Sequence, residues 1–385
     1  MNDTLLITLT GRDRPGVTSR LFGLLAGFSL RVADIEQVVI RGRLVLGVLV
    51  TCEEPPDLTG VHRAVSGLAE DLGLDAEITA GSSEPPSGRR GLLHVTLIGT
   101  PLRPEDVAAV TGRIAASGAN IDRIGRLARD PATCIELDVS GADPMELRTA
   151  LAREAVGRGV DVAVQRGGLT RRAMRLIVMD VDSTLIQDEV IDVLAAQAGC
   201  ADEVAKVTEA AMRGELDFTA SLRERTALLA GLDASVLDSV RSSLRLTPGA
   251  ETLIETLKRL GYKCGLVSGG FSQVIDPLAA SLGIDYVAAN VLEISGGKLT
   301  GRVLDPVIDS EGKAAALRRF ASDAGVPLSQ TVAVGDGAND LGMLATAGLG
   351  VAFNAKPVVQ ASADTALNVP HLDAVLYLLG IPQEP

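Results

Sequence analysis

The chain has few aromatic side chains and carries an excess of negative charge. Aromatic residues make up 2% of the 385 residues and tryptophan is absent, so the base-stacking platforms of single-strand nucleic-acid binders are not expected. The formal net charge of −13 argues against a nucleic-acid partner, because such proteins neutralise phosphates with Lys and Arg. A small anionic substrate stays compatible with this charge, since a local cation can reverse the field of a site.

Cysteine, histidine and long apolar runs are also scarce. The four cysteines lie far apart without a C-x-x-C pair, and the three histidines are dispersed, which disfavours a disulfide framework and a His-rich zinc site. Neither a secretory leader pattern nor an apolar run of membrane-spanning length is found. We therefore expect a cytoplasmic protein with reduced thiols that has no nucleic-acid or membrane partner. Hydrophobic residues, at 46%, are sufficient for packed cores.

The amino-terminal part contains the same order of predicted elements twice. Strand, helix, two strands, helix and strand are predicted within residues 1–82 and again within residues 91–168, on either side of a Gly-, Pro- and Ser-rich linker at 81–88. Asp34-Ile35-Glu36 in the first copy matches Asn120-Ile121-Asp122 in the second. The repeat predicts two ferredoxin-like βαββαβ domains. The predicted helices of these domains cover residues 17–28, 61–72, 107–117 and 145–156.

The loop between the first strand and the first helix has a distinctive sequence. Together with the βαββαβ order, Gly11 to Val17 resembles the ACT family, small modules that often pair across chains and sense amino acids. The resemblance implies a homodimer and an effector such as L-serine, with a ligand loop formed by Asp13, Arg14, Pro15 and Gly16. Thr100 to Glu105 replaces this loop in the second copy. A role of both domains in dimerisation alone is the alternative.

From residue 173 to 385 the pattern changes to strands that alternate with longer helices, which is typical of a parallel α/β sheet. Strands are predicted at residues 176–179, 264–267, 286–290 and 331–334, with 349–352 as an edge strand. A mostly helical insert at about residues 186–246 is too long for a simple crossover, and we expect it to form a cap over the strand ends. The predicted fold class is α/β: a Rossmann-like parallel sheet with a helical cap, preceded by the two ferredoxin-like domains.

Two aspartates, Asp180 and Asp182, directly follow the first strand of this sheet. They lie at the carboxyl end of the strand, where open α/β sheets bind their ligands. Two carboxylates in one small volume repel each other unless a cation or a proton intervenes. The pair alone leaves three interpretations open: a metal site, a nucleophile with a nearby acid/base, and ordinary turn chemistry.

Three further polar motifs occur at strand ends or helix starts of the same domain. They are Ser268-Gly269-Gly270-Phe271, Lys313 after residues 309–312, and Gly335 to Asp340. Each alone is compatible with an ordinary turn or a solvated lysine. Together and in this order they resemble the haloacid dehalogenase superfamily.

This resemblance implies the chemical roles of the aspartates. Asp180 is the nucleophile that attacks phosphorus and forms an acyl phosphate. Asp182 is the general acid/base that protonates the departing alkoxide and then deprotonates the hydrolytic water. Mg²⁺, a hard cation, is held by Asp180, by Asp336 and by the backbone carbonyl of Asp182. An aspartate at position 182 separates phosphatases from dehalogenases, although phosphomutases carry it too.

The remaining motif residues are implied to bind the phosphoryl group. Lys313 supplies a fixed positive charge, while Ser268 and the N–H of Gly269 donate hydrogen bonds to the phosphoryl oxygens. Asp340 orients Lys313 or the water shell of the metal.

Sequence motifs in the helical insert narrow the range of possible substrates. Its motifs M-R-G-E-L-D-F and S-L-R-E-R resemble phosphoserine phosphatases, and the match covers about residues 173–370. The resemblance implies that Glu189 holds the substrate ammonium and that Arg225 grips its carboxylate with two hydrogen bonds. Met212 and Phe218 then shield the site from water, and Asn339 lies beside the phosphate. A solvated face of the cap helices is the alternative for Glu189 and Arg225.

The resemblance as a whole implies a Mg²⁺-dependent phosphatase that hydrolyses O-phospho-L-serine through a phosphoaspartyl intermediate. This reaction is the last step of serine biosynthesis, and L-serine would regulate it through the first ACT-like domain. Two alternatives stay open. One is a phosphatase or phosphotransferase acting on another small phosphorylated amino acid or alcohol. The other is an amino-acid-sensing regulator with a vestigial phosphatase domain, against which the intact catalytic motifs argue.

Overall fold

The computed structural model describes residues 3–52, 58–82, 92–168, 171, 173–213 and 215–384. The chain forms two compact units, residues 1–89 and residues 90–385. Most of the linker predicted at 81–88 lies outside the described residues. No helix in the described ranges is both long enough and apolar enough to cross a membrane.

The first unit is a βαββαβ domain, as predicted. Its four strands form an antiparallel sheet in the order β2-β3-β1-β4. Alternate residues of the central strand, Leu5, Ile7 and Leu9, are buried with residues of both helices in one core, which explains the period of two in the sequence. The first helix ends three residues earlier than predicted, before Gly27. The elements are β1 (Asp3–Arg12), α1 (Val17–Leu25), β2 (Leu30–Ile40), β3 (Arg43–Cys52), α2 (Leu58–Leu72) and β4 (Leu74–Ser82).

The second unit begins with another βαββαβ domain, which confirms the predicted repeat. Its sheet has the equivalent order β6-β7-β5-β8. Both helices begin with proline, which suits the first helical turn, and Asp143 caps α4 by accepting the N–H groups of Met145 and Glu146 at 2.9 and 3.0 Å. The elements are β5 (Leu93–Gly99), α3 (Pro104–Ala116), β6 (Asn120–Ala128), β7 (Thr133–Ser140), α4 (Pro144–Ala155) and β8 (Val160–Arg166).

The rest of the second unit is an α/β domain that begins with a buried strand and a helical insert. The strand is β9 (Leu176–Met179), and the chain then leaves the sheet at Ile186 and returns at Leu246, where these two residues form an isolated bridge. Four helices lie between them and form a layer that we call the cap: α5 (Val190–Ala198), α6 (Ala201–Met212), α7 (Phe218–Ala227) and α8 (Val236–Ser243).

The remaining elements complete a seven-stranded sheet in the order β12-β11-β10-β9-β13-β14-β15. All neighbours are parallel except β12, which pairs antiparallel with β11. The parallel α/β class is therefore confirmed. The elements are α9 (Ala250–Arg259), β10 (Lys263–Phe271), α10 (Ser272–Ser281), β11 (Tyr286–Ser295), β12 (Lys298–Leu304), α11 (Ser310–Asp323), β13 (Thr331–Gly335), α12 (Leu341–Thr346), β14 (Leu349–Phe353), α13 (Pro357–Ser362), β15 (Thr365–Leu367) and α14 (Val375–Leu378).

The prediction that residues 349–352 form an edge strand was wrong. β15 pairs with β14 on its outer side through Val351, Ala352 and Phe353. β15 has three residues, which is too short for a periodic pattern to stand out in a sequence. β9, in contrast, is central and buried at all four positions, which is the setting expected for the strand that carries the functional aspartates.

Candidate active site

Asp180 and Asp182 are brought together by an unusual turn at the end of β9. The N–H of Asp180 donates to the carbonyl of Val334 at 2.9 Å, which extends the sheet by one bond. Residues 181–185 then form a tight turn, which the N–H of Ile186 closes by donating to the carbonyl of Val181 at 3.0 Å, and Ser183 in this turn has a left-handed φ of 56°. The chain therefore turns away from the strand direction after Asp180. As a result, Asp180 and Asp182 both line one cavity.

Lys313 is the centre of charge in this cavity. Its side chain is fully buried near the start of α11, and its Nζ lies 2.8 Å from Asp180 Oδ1 and 2.7 Å from Asp340 Oδ1. Asp340 Oδ2 also accepts the N–H of Gly337 at 2.9 Å. Burial alone would lower the pKa of Lys313, but the two carboxylates raise it above its usual value. The lysine therefore carries its positive charge at neutral pH.

The two motif aspartates differ in their hydrogen bonds. Asp182 Oδ1 accepts the N–H of Val190, the first residue of the cap, at 2.7 Å, and Oδ2 accepts the hydroxyl of Ser268 at 2.9 Å. Burial raises the pKa of Asp182, and these two bonds oppose the increase. Burial also raises the pKa of Asp180, with a further increase from Asp340 and an opposing effect of Lys313. A carboxyl with a raised pKa, as at Asp182, suits proton transfer.

Asp336 adds a third carboxylate, directly after β13. One oxygen each from Asp180, Asp336 and Asp340 lies within 4.8 Å of the others. Asp336 Oδ1 accepts the hydroxyl of Thr184 at 2.8 Å, and burial raises the pKa of Asp336 to about 6. Two buried carboxylates and the half-buried Asp336, with one lysine among them, leave an excess of negative charge. This oxygen donor set fits a hard divalent cation.

Asp180 and Asp336 are better placed than Asp340 to hold such a cation. Both oxygens of Asp340 are already engaged, by Lys313 and by Gly337. Among the described residues, the hydrogen bonds and ion pairs of Asp180 and Asp336 use Oδ1 of each carboxylate. The Oδ2 atoms therefore stay available as ligands.

The cap contributes the opposite wall of the cavity. Glu189 Oε1 accepts the hydroxyl of Ser183 at 2.8 Å. Glu189 is exposed at the mouth of the cavity, but partial desolvation of its carboxyl raises the pKa of Glu189 to about 7, and the charge of Asp182 contributes to this increase. Desolvation of the guanidinium lowers the pKa of Arg225, and the negative charges of Asp192 and Glu189 partly oppose this decrease. A carboxyl and a guanidinium thus face the same small space.

The cavity has a volume of about 140 Å³ and contains most of the site residues predicted from the sequence. Ser268 and Asp340 lie directly behind it, through their contacts with Asp182 and Lys313. Met212 ends α6, but its side chain lies outside the described residues. The lining residues are Asp180, Asp182, Glu189, Ile191, Phe218, Leu222, Arg225, Gly269, Gly270, Lys313, Asp336 and Asn339.

Two residues that support the site were missed in the sequence. Thr184 holds Asp336, as described above, and its place beside Asp182 in the motif was the available signal. The second is Asn290, which is buried in the middle of β11. Its side-chain amide donates to the carbonyl of Gly269 at 2.8 Å, and its side-chain oxygen accepts the N–H of Ile308 at 2.7 Å. It connects the glycine turn to the segment that leads to Lys313. A single Asn in a strand carries no recognisable pattern.

The predicted ligand loop of the first unit lines a separate cavity of about 340 Å³. Asp13, Arg14, Pro15 and Gly16 form one side of this cavity, and Gln37 of β2 lies on another. Gly16 has a left-handed φ of 93°, which favours glycine at this position. The hydroxyl of Thr18 donates to Gln37 Oε1 at 2.8 Å and ties the helix start to β2.

Comparison with known families agrees with this architecture. The model of the haloacid dehalogenase-like hydrolases matches residues 177–345, and two ACT domain models match residues 3–79 and 93–165. The class defined by fold and site is therefore a haloacid dehalogenase-like hydrolase with two ACT domains.

Individual relatives narrow this class. The chain is 62% identical to the phosphoserine phosphatase of Streptomyces coelicolor over 99% of its own length and 93% of that protein. It is 52% identical to phosphoserine phosphatase SerB2 of Mycobacterium tuberculosis, with 98% and 93% covered. The chain belongs to the phosphoserine phosphatase family.

Solved structures are similar as well. A probable phosphoserine phosphatase from Vibrio cholerae, in unliganded form, has a TM-score of 0.61 at 38% identity and covers 76% of this chain and 87% of its own. A phosphoserine phosphatase solved as an analogue of the phospho-aspartyl intermediate has a TM-score of 0.51 at 42% identity, covering 53% of this chain and 98% of its own.

Proposed function

We propose that the protein is a Mg²⁺-dependent phosphatase that hydrolyses O-phospho-L-serine to L-serine and phosphate. One observation carries the proposal: Asp180, Asp182 and Lys313 line the same cavity of about 140 Å³ as Glu189 and Arg225. Phosphoryl-transfer groups and a pair of complementary charges for an amino acid are thus combined in one small space. The relatives that match nearly the whole chain are named phosphoserine phosphatases, which supports the same substrate.

In the first step, a carboxylate oxygen of Asp180 attacks phosphorus while the bond from phosphorus to the serine oxygen breaks. Asp182 donates its proton to the departing alkoxide, and its raised pKa supports the protonated form at the start. Lys313 balances charge on the transferred phosphoryl group. Asp180, Asp336 and the backbone carbonyl of Asp182 would hold Mg²⁺, which neutralises charge between the nucleophile and the phosphate.

In the second step, Asp182 takes a proton from water, whose oxygen attacks the phosphorus of the acyl phosphate. Phosphate leaves and the Asp180 carboxylate is restored. The hydroxyl of Ser268, 2.9 Å from Asp182 Oδ2, and the N–H of Gly269 bind phosphoryl oxygens when substrate is present. Asn339 lines the same cavity, and we propose that it contacts the phosphate there.

Substrate selection belongs to the cap in this proposal. Glu189 pairs with the ammonium group of phosphoserine, and Arg225, whose guanidinium is partly desolvated, binds the carboxylate, because hydrogen bonds between charged partners are the strong ones. Phe218 packs against the glycine turn: a Cβ built on Gly269 would lie 2.9 Å from its ring. Phe218 excludes water from this part of the cavity.

A phosphate-release assay with a panel of phosphomonoesters tests the substrate proposal. We expect turnover of O-phospho-L-serine that stops on chelation with EDTA and returns with Mg²⁺. O-phosphothreonine, O-phosphohomoserine and p-nitrophenyl phosphate should have lower kcat/KM values. A higher kcat/KM for another ester would support the alternative of a different small phosphate, and no turnover at all would support a vestigial domain.

Regulation is proposed for the first unit alone. The cavity of about 340 Å³ beside Asp13 and Gly16 has the size and polar lining for a free amino acid, and L-serine is the effector that the pathway offers. Serine inhibition of turnover should be weakened by Gln37→Leu, which changes the cavity wall in a unit that contains none of the proposed catalytic residues. Unchanged inhibition would mean that serine acts as a product at the active site.

A homodimer is proposed from the edge of the first sheet. β2 is an eleven-residue edge strand, and Val32, Ile35 and Val39 are each 44–53% exposed on it. An apolar edge strand with unpaired backbone groups is a site for strand pairing with a second copy. Light scattering should give the mass of a dimer, and Ile35→Lys should give the monomer. A cytoplasmic location remains a prediction from the wide spacing of the cysteines in the sequence.

A further inference from the structure

The open face of the second βαββαβ sheet is buried, unlike that of the first. The face opposite the helices carries Thr96 and Ile98 on β5 and Cys134 on β7, and each is at most 1% exposed. On the equivalent face of the first sheet, Leu6 and Val45 are each 44% exposed. The two copies have the same topology, so the difference comes from what covers the second sheet.

The cover is the last part of the phosphatase domain. Ile98, Cys134 and Ala163 belong to the same hydrophobic cluster as Leu372 and Leu376, which lie in and next to α14. One hydrophobic cluster therefore crosses from one domain to the other. It lies on the open face of the sheet and adds to the core that the second βαββαβ domain has between its sheet and its helices.

A buried arginine in the connection between the two domains fixes this packing. Arg171 donates from Nε to the carbonyl of Leu378 and from Nη2 to the carbonyl of Tyr377, both at 2.8 Å. Its Nη1 contacts Glu136 of β7. Arg171 is 7% exposed. Its buried guanidinium donates hydrogen bonds to the last carbonyls of α14 and forms an ion pair with a carboxylate of the neighbouring sheet.

A second anchor holds the edge strand of the catalytic sheet. Asp161 of β8 accepts the N–H groups of Asn368 and Val369 at 2.7 and 3.1 Å, and it accepts the side-chain amide of Asn368 at 2.8 Å. These residues directly follow β15. Arg148 of α4 pairs with Asp364, just before β15, at 3.2 Å. Both ends of β15 are thus bound by the second βαββαβ domain.

The loop after the first strand of the second copy packs closely. A Cβ built on Gly99 would lie 3.0 Å from Cα and 3.2 Å from Cβ of Leu102. Leu102 also packs against the core of its own domain.

We propose that the second ACT domain is a fixed structural part of the phosphatase domain. The open face of the second ACT sheet is the docking surface, and the segment of the same chain from β15 to α14 packs on it. The two domains fold and open as one cooperative unit, and the second ACT domain protects the edge of the catalytic sheet, which would otherwise present unpaired backbone groups.

Hydrogen exchange of the full-length chain, followed by mass spectrometry, tests this proposal. In the unmodified protein, the slowest amides of β5 and β7 and those of residues 373–379 should share one opening free energy and one dependence on denaturant. Two different values would overturn the proposal. This measurement needs no variant, so it does not depend on whether a variant folds.

Arg171→Ala then tests the anchor. We expect exchange to become at least about tenfold faster in β5, β7 and α14 together, because hydrogen bonds of a buried charged group are lost. Arg126→Ala, an exposed arginine on the outer strand β6, is the matched control and should leave these rates unchanged. Faster exchange restricted to residues 376–380, with β5 and β7 unaffected, would overturn the proposal.

Discussion

The floor and the cap of the active site differ in how their side chains are held. The floor consists of Asp180 and Asp336, which follow neighbouring strands, and Lys313, which lies near the start of a helix. Lys313 bonds to two carboxylates at 2.7–2.8 Å. Glu189 and Arg225 come from the helical insert and have fewer partners: Glu189 bonds to Ser183, and Arg225 Nε lies 3.4 Å from the carbonyl of Ser221.

This difference corresponds to a division of labour. The floor is preorganised by the parallel sheet, which suits chemistry that needs fixed geometry. The cap is an insertion whose side chains can change without disturbing the sheet, which suits selection among phosphate esters. Substitutions in the floor should therefore affect every substrate, whereas substitutions in the cap should affect the amino-acid substrate alone.

The largest effect is expected for Asp180→Asn. The amide is a poor nucleophile, so kcat should fall by at least about 10⁴-fold for both O-phospho-L-serine and p-nitrophenyl phosphate. Steady-state phosphate release measures this loss. Asp202→Asn, on an exposed position of the cap helix α6, is the control and should keep full activity. A loss confined to phosphoserine would contradict the role of the floor.

Lys313→Met should destabilise the fold as well as remove activity. The change leaves Asp180 and Asp340 buried without their common cation, and breaking a buried ion pair costs about 3–5 kcal/mol. Urea unfolding followed by circular dichroism measures the free energy of unfolding. Lys206→Met, at an exposed position, should change it little.

The pH dependence of this stabilisation has a defined sign. The pKa of Lys313 is raised in the folded state, so its stabilisation is complete below the ordinary lysine pKa and is lost as pH rises through the higher folded value. The difference in stability between the unmodified protein and Lys313→Met should therefore persist at pH 7–9. A difference that disappears in this range would contradict the assignment.

Arg225→Ala should separate the cap from the floor. Loss of a charge-assisted contact to the substrate carboxylate is expected to lower kcat/KM for phosphoserine by about 10–100-fold, with p-nitrophenyl phosphate within about twofold of its original value. Arg223→Ala is a closely matched control, because Arg223 lies on the same helix and pairs with Asp305 at the surface. An equal loss on both substrates would rule out recognition by Arg225.

The smallest predicted effect concerns the ionisation of Glu189. Partial desolvation raises the pKa of Glu189 to about 7, and the carboxylate needed for the substrate ammonium is lost as pH falls below that value. The ratio of kcat/KM for phosphoserine to that for p-nitrophenyl phosphate should decrease several-fold from pH 8 to pH 6. In Glu189→Gln the ratio should be low and independent of pH. A ratio that stays pH-dependent in this variant would assign the ionisation to another group.

Sequence patterns were sufficient to predict the parallel sheet and the convergence of its motifs. The ends of adjacent parallel strands meet at one edge, so Asp180, Ser268 and Asp336 had to approach each other once β9, β10 and β13 were predicted. Glu189 and Arg225 were predicted only through a family resemblance, since no periodic pattern relates a helical insert to the sheet below it.

Other features depended on tertiary contacts that no local pattern records. β15 is three residues long, and Asn290 is one polar residue in a strand, so neither differs from its surroundings in sequence. The burial of the second ACT sheet was also not predicted, because Thr96, Cys134 and Glu136 have the mixed polarity of an exposed face. Their environment is set by Arg171 and α14, which are far away in sequence.

The most direct test of the proposed mechanism is to trap the phosphorylated enzyme. The chain is mixed with ³²P-labelled O-phospho-L-serine and Mg²⁺, quenched in acid, and digested for peptide mapping. We predict an acid-stable, alkali-labile label on the peptide that contains Asp180, which is absent in Asp180→Asn. Label that persists in Asp180→Asn, or that maps to another peptide, would contradict the account.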